Sequence, residues 1–157
     1  MGGGDSRLVD GLVARGLACL TVVDISGAAL RRARSRLPAA AVNWIEADVT
    51  AAHWRTVPAD LWHDRAVFHF LTDAADRARY IERLEETLKR DGQVIIATFA
   101  PEGPPKCSGL PVVRYSPDAL EAELSASFSL QEAVREVHTT PSGSTQQFWY
   151  SRLARVA

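Results

Sequence analysis

The sequence predicts an α/β protein with a mostly parallel sheet and an antiparallel hairpin at its C-terminal end. Short apolar runs alternate with helical patterns from residue 7 to residue 124. The clearest run, residues 93–99, is almost entirely apolar, as is typical of a strand that is covered on both faces. Two long strand-like segments, 128–138 and 146–155, flank turn-forming residues and predict the hairpin.

Local signals predict the other elements in order. Apolar spacing indicates a helix over 7–15, with Gly16 as its stop. Ser26 is a suitable N-cap for a helix over 27–37 that follows a short strand over 20–23. The remaining predicted elements are a strand over 41–45, a short helix over 51–54, a strand ending at 60–62, a helix from Asp73 to the Asp91-Gly92 pair, and a helix from Ser116 to about Leu124.

Length and composition predict one domain spanning residues 1–157. Hydrophobic content of 46% and charged content of 24% are typical of a soluble globular protein. The net charge of -1 gives no electrostatic basis for binding nucleic acid or an anionic membrane. Cys19, which we expect in the core, and Cys107 lack the spacing of a metal site or a disulfide framework. Without a signal peptide or a long apolar run, a cytoplasmic location is expected.

A run of glycines begins the chain, and an acid ends the first predicted strand. Gly2-Gly3-Gly4 would let the backbone approach a ligand closely, although such a run is also typical of a disordered tail. Asp24 follows Gly4 by twenty positions and ends the next strand. A carboxylate there can accept both hydroxyl hydrogens of a ribose, and the alternative is a cap for the following helix.

Two further features distinguish a dinucleotide from a nucleoside without a pyrophosphate as the ligand of this arrangement. The dinucleotide fingerprint G-x-G-x-x-G fails because Arg7 stands where the third glycine is needed. Asp48 ends the next strand and is followed by the apolar Val49. An adenine could donate its amine hydrogen to Asp48 and place its face on Val49, so a nucleoside without a pyrophosphate is favoured.

Taken together, these segments resemble the first three motifs of the class I S-adenosylmethionine-dependent methyltransferases. The segment 60–66 follows as their fourth strand end, and 89–99 is similar to their glycine turn and fifth strand. The terminal hairpin matches their reversed last strand, and segments 62–69 and 99–110 resemble a bacterial subgroup. The resemblance implies a Rossmann-like methyltransferase fold with helices on both faces, and S-adenosylmethionine as cofactor.

The resemblance also implies the roles of individual residues. Glycines 2–4 would line the methionine and ribose part of the cofactor, and Asp24 would bind the ribose hydroxyls. The adenine would lie against Ile25 and would be held by Asp48 and Val49. Trp62 and His63 would lie near the sulfonium methyl group. The acceptor would be a small molecule or a protein, and no metal is needed.

Two neighbouring residues are candidates for catalysis. Methyl transfer is an in-line displacement, so a base is needed only when the acceptor must lose a proton. His63 and Asp64 could serve as that base, and histidine is better suited near neutral pH. In the alternative, Asp64 pairs with Arg65 or with nearby backbone. His69, between two phenylalanines, is expected to be a packed residue.

The chain departs from the resembled family at its start. The family's strand order 3-2-1-4-5-7-6 has a central first strand immediately before the glycines, and this sequence begins at the glycines. We therefore expect either an N-terminally truncated domain with weak or no activity or a start codon called too late. A second copy could supply the strand by self-association through exposed sheet edges, although nothing in the sequence requires it. The alternatives are a non-catalytic remnant of the fold and a nicotinamide-dependent oxidoreductase, which Arg7 and the Asp48-Val49 pair disfavour.

Overall fold

The computed structural model describes residues 1–124, 126–140 and 143–156, so Pro141 and Ser142 of the predicted hairpin turn lie outside the described residues. The helices are α1 (Leu8–Ala14), α2 (Gly27–Arg36), α3 (Ala74–Thr87) and α4 (Pro117–Leu124), with a 3₁₀ turn at Phe68–Phe70. The strands are β1 (Leu20–Asp24), β2 (Val42–Glu46), β3 (Ala59–Arg65), β4 (Leu88–Phe99), β5 (Lys106–Cys107), β6 (Leu110–Pro111), β7 (Phe128–Thr139) and β8 (Thr145–Arg155). The chain divides into two compact units, Met1–Thr56 and Val57–Ala157.

The first unit is a parallel strand pair with a helix packed on it. Strands β1 and β2 pair in register from Leu20 opposite Val42 to Asp24 opposite Glu46, and α2 packs on both strands. Ser26 caps α2 as predicted, its hydroxyl accepting a hydrogen bond from the Ala29 amide at 3.3 Å. Because the strands are parallel, both of their carboxyl ends lie at one edge. The buried apolar residues of this unit are Val9, Val23, Ala29, Leu30, Ala33, Ala47, Val49 and Trp54.

The second unit is built on a four-stranded mixed sheet in the order β3-β4-β8-β7. Strand β3 is parallel to β4, whereas β8 is antiparallel to both β4 and β7, which confirms the predicted C-terminal hairpin. Helix α3 contacts β4, and α4 contacts β7 and β8. The α/β, Rossmann-like fold class is confirmed, and the β1-β2 and β3-β4-β8-β7 orders each reproduce one part of the expected strand order.

One predicted helix and two predicted boundaries are wrong, and one of these boundaries is the end of β3, which lies at Arg65 and not at 60–62. Residues 51–54 form a turn, and Trp54 is buried with its indole N–H donating to the Val49 carbonyl at 3.3 Å. Strand β4 begins at Leu88, although the helix was expected to run to the Asp91-Gly92 pair, because Leu88 pairs with Ala59 at the start of β3. Gly92 makes this packing feasible, since a Cβ atom there would lie 2.5 Å from Cγ of Leu88.

The prediction that Cys19 lies in the core is also wrong. It is exposed and has a φ of 58°, in the connection between α1 and β1. Its apolar sequence neighbours belong to that connection and to the start of β1, so they do not enclose it. The loop after β4 contains a short hairpin, β5–β6, whose turn residues Ser108 and Gly109 have φ values of 50° and 82°. Positive φ at both central positions is typical of a tight hairpin turn.

Candidate functional site

A glycine turn lies on the carboxyl end of β1. The Gly2 and Gly3 amides donate hydrogen bonds to the carbonyl oxygen of Val23, at 2.8 and 3.4 Å. A Cβ atom on Gly3 would lie 2.4 Å from Cγ1 of Val22, and Gly4 has a φ of 43°. Residues other than glycine rarely adopt a φ of this sign, and the contact with Val22 leaves no room for a side chain at Gly3. The turn therefore brings bare backbone to the edge where β1 ends.

Asp24 faces this glycine turn. Its Oδ1 atom accepts a hydrogen bond from the Ser26 amide at 2.7 Å, and its Oδ2 atom lies 3.2 Å from where a Cβ of Gly4 would be. Within the residues that the structure describes, Oδ2 has no donor. One oxygen thus fixes the turn into α2, whose N-cap is Ser26, and the other is available to a ligand.

The end of β2 supplies a second carboxylate. Asp48 is exposed, and its Oδ1 atom accepts hydrogen bonds from the amide and the hydroxyl of Thr50, both at 2.8 Å. Val49 is only 9% exposed, so its side chain offers little surface to a ligand. Ile25 is 73% exposed and provides the larger apolar surface at this edge. The predicted residues at the ends of β1 and β2 are therefore brought to one edge of the first unit.

Two arginines of α2 hold the chain that follows the glycine turn. Arg36 donates to both carboxylate oxygens of Asp10, at 3.0 and 3.1 Å, and also contacts the Asp5 carboxylate. Arg32 binds the other Asp5 oxygen at 3.0 Å. These bonds lower the pKa of Asp5 and of Asp10 below the usual range. Sequence reasoning missed this cluster because its members lie 26 to 31 positions apart, with no local signal.

We expect Arg36→Gln to weaken binding of S-adenosylhomocysteine several-fold if the glycine turn holds a nucleoside. The substitution removes the bidentate bond to Asp10 and the bond to Asp5, so the turn loses its support. Calorimetric titration measures the change. Arg34→Gln in the same helix is the matched control, because Arg34 is exposed and forms no ion pair in the described part of the chain. Equal affinities for the two variants would contradict the supporting role.

Strand β3 presents two kinds of side chain on its two faces. On one face, Trp62 and Asp64 are 3% and 0% exposed and both contact Tyr80 of α3. The Trp62 indole N–H donates to the Tyr80 hydroxyl at 2.8 Å, and that hydroxyl donates to Asp64 at 2.7 Å. The other bonds to Asp64 come from the Val67 and Phe68 amides, at 2.9 and 3.0 Å. The Asp64 carboxylate is thus enclosed and serves as an acceptor for the turn that follows β3.

The buried network determines the ionisation of its members. Burial raises the pKa of Asp64, and the bonds from Tyr80 and the two amides act in the opposite direction. Burial and the nearby Asp64 carboxylate raise the pKa of Tyr80. Trp62, predicted to lie near the sulfonium, has its indole ring edge-on to Tyr80 in the core, with centroids 5.5 Å apart. Trp62 and Asp64 therefore hold the end of β3 in position.

His63 and Arg65 lie on the opposite face of β3, because side chains alternate along a strand. His63 is half-buried. Burial, with a contribution from the positive charge of Arg65, lowers the pKa of His63 to about 4. Its imidazole is therefore neutral at physiological pH and has a lone pair that can accept a proton. Of the two predicted base candidates, only His63 is on the more open face.

A metal site and a membrane-spanning helix are both absent from the described residues. No group of three or more His, Cys, Asp or Glu side chains there is arranged to hold a metal ion. Among the described helices, none has the length and apolar character needed to cross a membrane.

Comparison with known proteins identifies the fold and the family. The family model described as "Methyltransferase domain" matches residues 1–96. No curated protein matches the sequence. A solved S-adenosylmethionine-dependent methyltransferase from Methanosarcina mazei is similar with a TM-score of 0.79 at 12% identity, over 99% of this chain and 90% of that one. One from Mesorhizobium loti has a TM-score of 0.76 at 16% identity, over 98% and 88%.

A third solved structure contains both a cofactor product and a substrate. It is the Burkholderia thailandensis 1,6-didemethyltoxoflavin-N1-methyltransferase, with bound 1,6-didemethyltoxoflavin and S-adenosylhomocysteine. The TM-score is 0.77 at 18% identity, over 99% of this chain and 69% of that one. Since the family match spans more than half of the sequence, this chain belongs to the methyltransferase-domain family, and it shares its fold with solved S-adenosylmethionine-dependent methyltransferases.

Proposed function

We propose that this chain is an enzyme that binds S-adenosylmethionine and transfers its methyl group to a small-molecule or protein acceptor. The observation that carries the proposal is the Oδ2 atom of Asp24, an acceptor without a donor in the described residues that faces the glycine turn. The family assignment replaces the nicotinamide-dependent alternative.

The residues at this edge fit the cofactor of the family. S-adenosylmethionine has a ribose diol and an adenine amine, which are hydrogen-bond donors, and the edge offers the carboxylates of Asp24 and Asp48. The glycine turn keeps Oδ2 of Asp24 uncovered, because a Cβ atom at Gly4 would lie only 3.2 Å from it. The exposed Ile25 offers an apolar surface for the adenine, and Val49 contributes mainly to the core below it.

The cofactor supplies an activated methyl group on a sulfonium, which is a strong leaving group. The chain's own task is therefore to hold and orient the reactants. We assign ribose binding to Asp24, adenine binding to Asp48 and Ile25, and close backbone contact to the glycine turn. His63 is neutral and can accept a proton from an acceptor that must lose one. Asp64 is enclosed, so we assign it the positioning of the β3 end.

Calorimetric titration with S-adenosylhomocysteine tests this proposal against a non-catalytic remnant of the fold. We expect wild-type protein to bind, and Asp24→Asn to bind more weakly by about 1–3 kcal/mol because charge-assisted hydrogen bonds are lost. An asparagine retains the Oδ1 acceptor for the Ser26 amide, so the turn into α2 is preserved.

Asp73→Asn is the matched control for this variant. Asp73 accepts a hydrogen bond from the Ala75 amide at 2.7 Å, as Asp24 does from Ser26, but at the start of α3. The control should bind as wild type does. No heat with wild-type protein at high ligand concentration would favour the remnant, and equal affinity for Asp24→Asn would contradict the ribose role.

A further inference from the structure

Arg65 ends β3 with an exposed guanidinium group that two aromatic residues of β8 hold in place. Its Nε atom donates a hydrogen bond to the Tyr150 hydroxyl oxygen at 2.7 Å. Its Cζ atom lies 4.8 Å from the centroid of the Phe148 ring, within the range of a cation–π contact. Phe148 is 2% exposed, so the ring beneath the guanidinium is fixed. The side chain is therefore oriented without the help of a carboxylate.

Apart from the Nε–H of Arg65, the hydrogen-bond donors of this pair have no acceptor among the described residues. Arg65 has four N–H bonds on its two terminal nitrogens, and the Tyr150 oxygen accepts from Arg65, which leaves its own O–H to donate. Within the described ranges, Arg65 forms no ion pair and neither residue has another acceptor. Such a planar, pre-oriented set of donors fits a carboxylate, which an arginine can bind through two parallel hydrogen bonds.

A second arginine of the same sheet differs from Arg65 in having acceptors for its guanidinium group. Arg152 lies two residues from Tyr150 on β8 and binds the Glu132 carboxylate at 3.3 Å and the Gln93 side-chain oxygen at 3.1 Å. Its charge is compensated within the sheet. Arg65 lies on the same sheet, and its terminal nitrogens have no acceptor in the described chain, so they are available to a ligand.

A buried apolar cluster with partly exposed side chains around it adjoins the donors at the carboxyl ends of β3 and β4. Ala97, Phe99 and Phe148 form a buried cluster there. The side chains packed against it are Ala66, Cys107, Val112 and Tyr150, the first from the turn after β3 and Cys107 from the β5–β6 hairpin. In open α/β sheets, ligands bind outside this edge of the strands. A ligand that matches both features has an apolar or aromatic body and a carboxylate.

We propose that Arg65 and Tyr150 bind the carboxylate of an aromatic or similarly apolar small-molecule methyl acceptor. The proposal rests on the proposed function and specifies its substrate class. His63 lies two residues before Arg65 on the same face of β3, which places it about 7 Å away along the strand. An acceptor of the size of a substituted benzoate spans that distance, so its reacting group lies beside His63 while its carboxylate is held by Arg65.

Binding of benzoate, with benzamide as its uncharged equivalent, tests this site. We expect calorimetry or ligand-observed NMR to detect benzoate binding to wild-type protein and clearly weaker binding of benzamide. Arg65→Met, which keeps an apolar stem over Phe148, should lower the benzoate affinity roughly tenfold or more. Tyr150→Phe should give a smaller loss because only one donor is removed. Arg152→Gln is the matched control and should bind benzoate as wild type does.

Titration of S-adenosylhomocysteine with the same Arg65→Met protein separates this proposal from the proposed function and confirms that the variant is folded. Its affinity for S-adenosylhomocysteine should be that of wild type. Absence of benzoate binding, equal binding of benzamide, or equal affinity for Arg65→Met would overturn the carboxylate site even when S-adenosylhomocysteine binds. If wild-type protein does not bind S-adenosylhomocysteine but binds benzoate in a way that depends on Arg65, the proposed function is overturned. The carboxylate site at Arg65 would then still stand.

Discussion

Replacing Asp64 by alanine should lower the free energy of unfolding by about 3 kcal/mol or more, which is the largest loss we expect from a polar substitution in this chain. The carboxylate is fully buried and accepts hydrogen bonds from the Val67 amide, the Phe68 amide and the Tyr80 hydroxyl. Alanine leaves the buried Phe68 amide, the buried Tyr80 hydroxyl and the partly buried Val67 amide without this acceptor, and each buried unsatisfied donor is costly. Chemical denaturation, followed by tryptophan fluorescence, measures the loss.

Two further variants show whether the network produces the loss. Asp64→Asn retains one acceptor oxygen and should therefore lose less than Asp64→Ala. Tyr80→Phe keeps the edge-on ring contacts with Trp62 and Phe68 but removes the hydroxyl that links Trp62 to Asp64, and should lower stability by about 1–2 kcal/mol. Asp60→Ala is the matched control on the same strand.

Asp60 has the same side chain as Asp64 but is exposed to solvent. The side chain of Asp60 is 83% exposed and pairs with Lys89 at 2.7 Å. Exposed ion pairs of this kind contribute about 0–1 kcal/mol, so little change is expected. A loss at Asp64→Ala no larger than that at Asp60→Ala would show that the network does not hold the β3 end.

Elements with local signals were predictable from the sequence. Ser26, Asp73 and Ser116 each accept a hydrogen bond from a backbone amide at a helix start, as their side chains and positions indicated. The apolar stretch of β4 and the terminal hairpin were found because strand patterns are visible in short windows. The start of β4 at Leu88 was not predicted from the sequence, because pairing with β3 overrides the helical pattern there.

The site was predictable only in part. Strand-end acids were located correctly, because the end of an apolar run is a local feature of the sequence. The sequence could not distinguish a buried acceptor from an open base, since the environment of Asp64 depends on Tyr80, which lies sixteen residues away. It also could not reveal that Arg65 meets Tyr150, eighty-five residues further along the chain. Such contacts depend on which strands become neighbours, and residue types alone do not specify them.

His69 should make the stability of the protein fall as the pH decreases from about 6.5 to about 4. The residue is fully buried, its ring lies edge-on to Phe70 and Phe99, and its Nδ1 atom accepts a long hydrogen bond of 3.4 Å from the Phe99 amide. Burial lowers its pKa to about 4, compared with about 6.5 in an unfolded chain. The folded state thus binds its proton only at the lower pH.

The direction of the effect follows from this difference. Above pH 6.5 both states are neutral at His69, and its contribution to stability is fully present. As the pH falls, His69 is protonated in the unfolded chain but stays neutral in the folded chain. The free energy of unfolding therefore decreases by about 3 kcal/mol by pH 4. Burial also lowers the pKa of His63 to about 4, so wild-type protein contains a second contribution over the same range.

Comparison of His69→Phe with wild type isolates the contribution of His69. Phenylalanine keeps an aromatic ring between Phe70 and Phe99 but does not titrate, so its unfolding free energy should fall less between pH 7 and pH 4.5. The slope with pH is the measured quantity, because the variant also loses the acceptor for the Phe99 amide and has a different stability at neutral pH. His53→Asn, at an exposed position, should retain the wild-type slope. Equal slopes for wild type and His69→Phe would mean that His69 is protonated as readily in the folded state as in the unfolded chain, and that solvent reaches a side chain that the fold encloses.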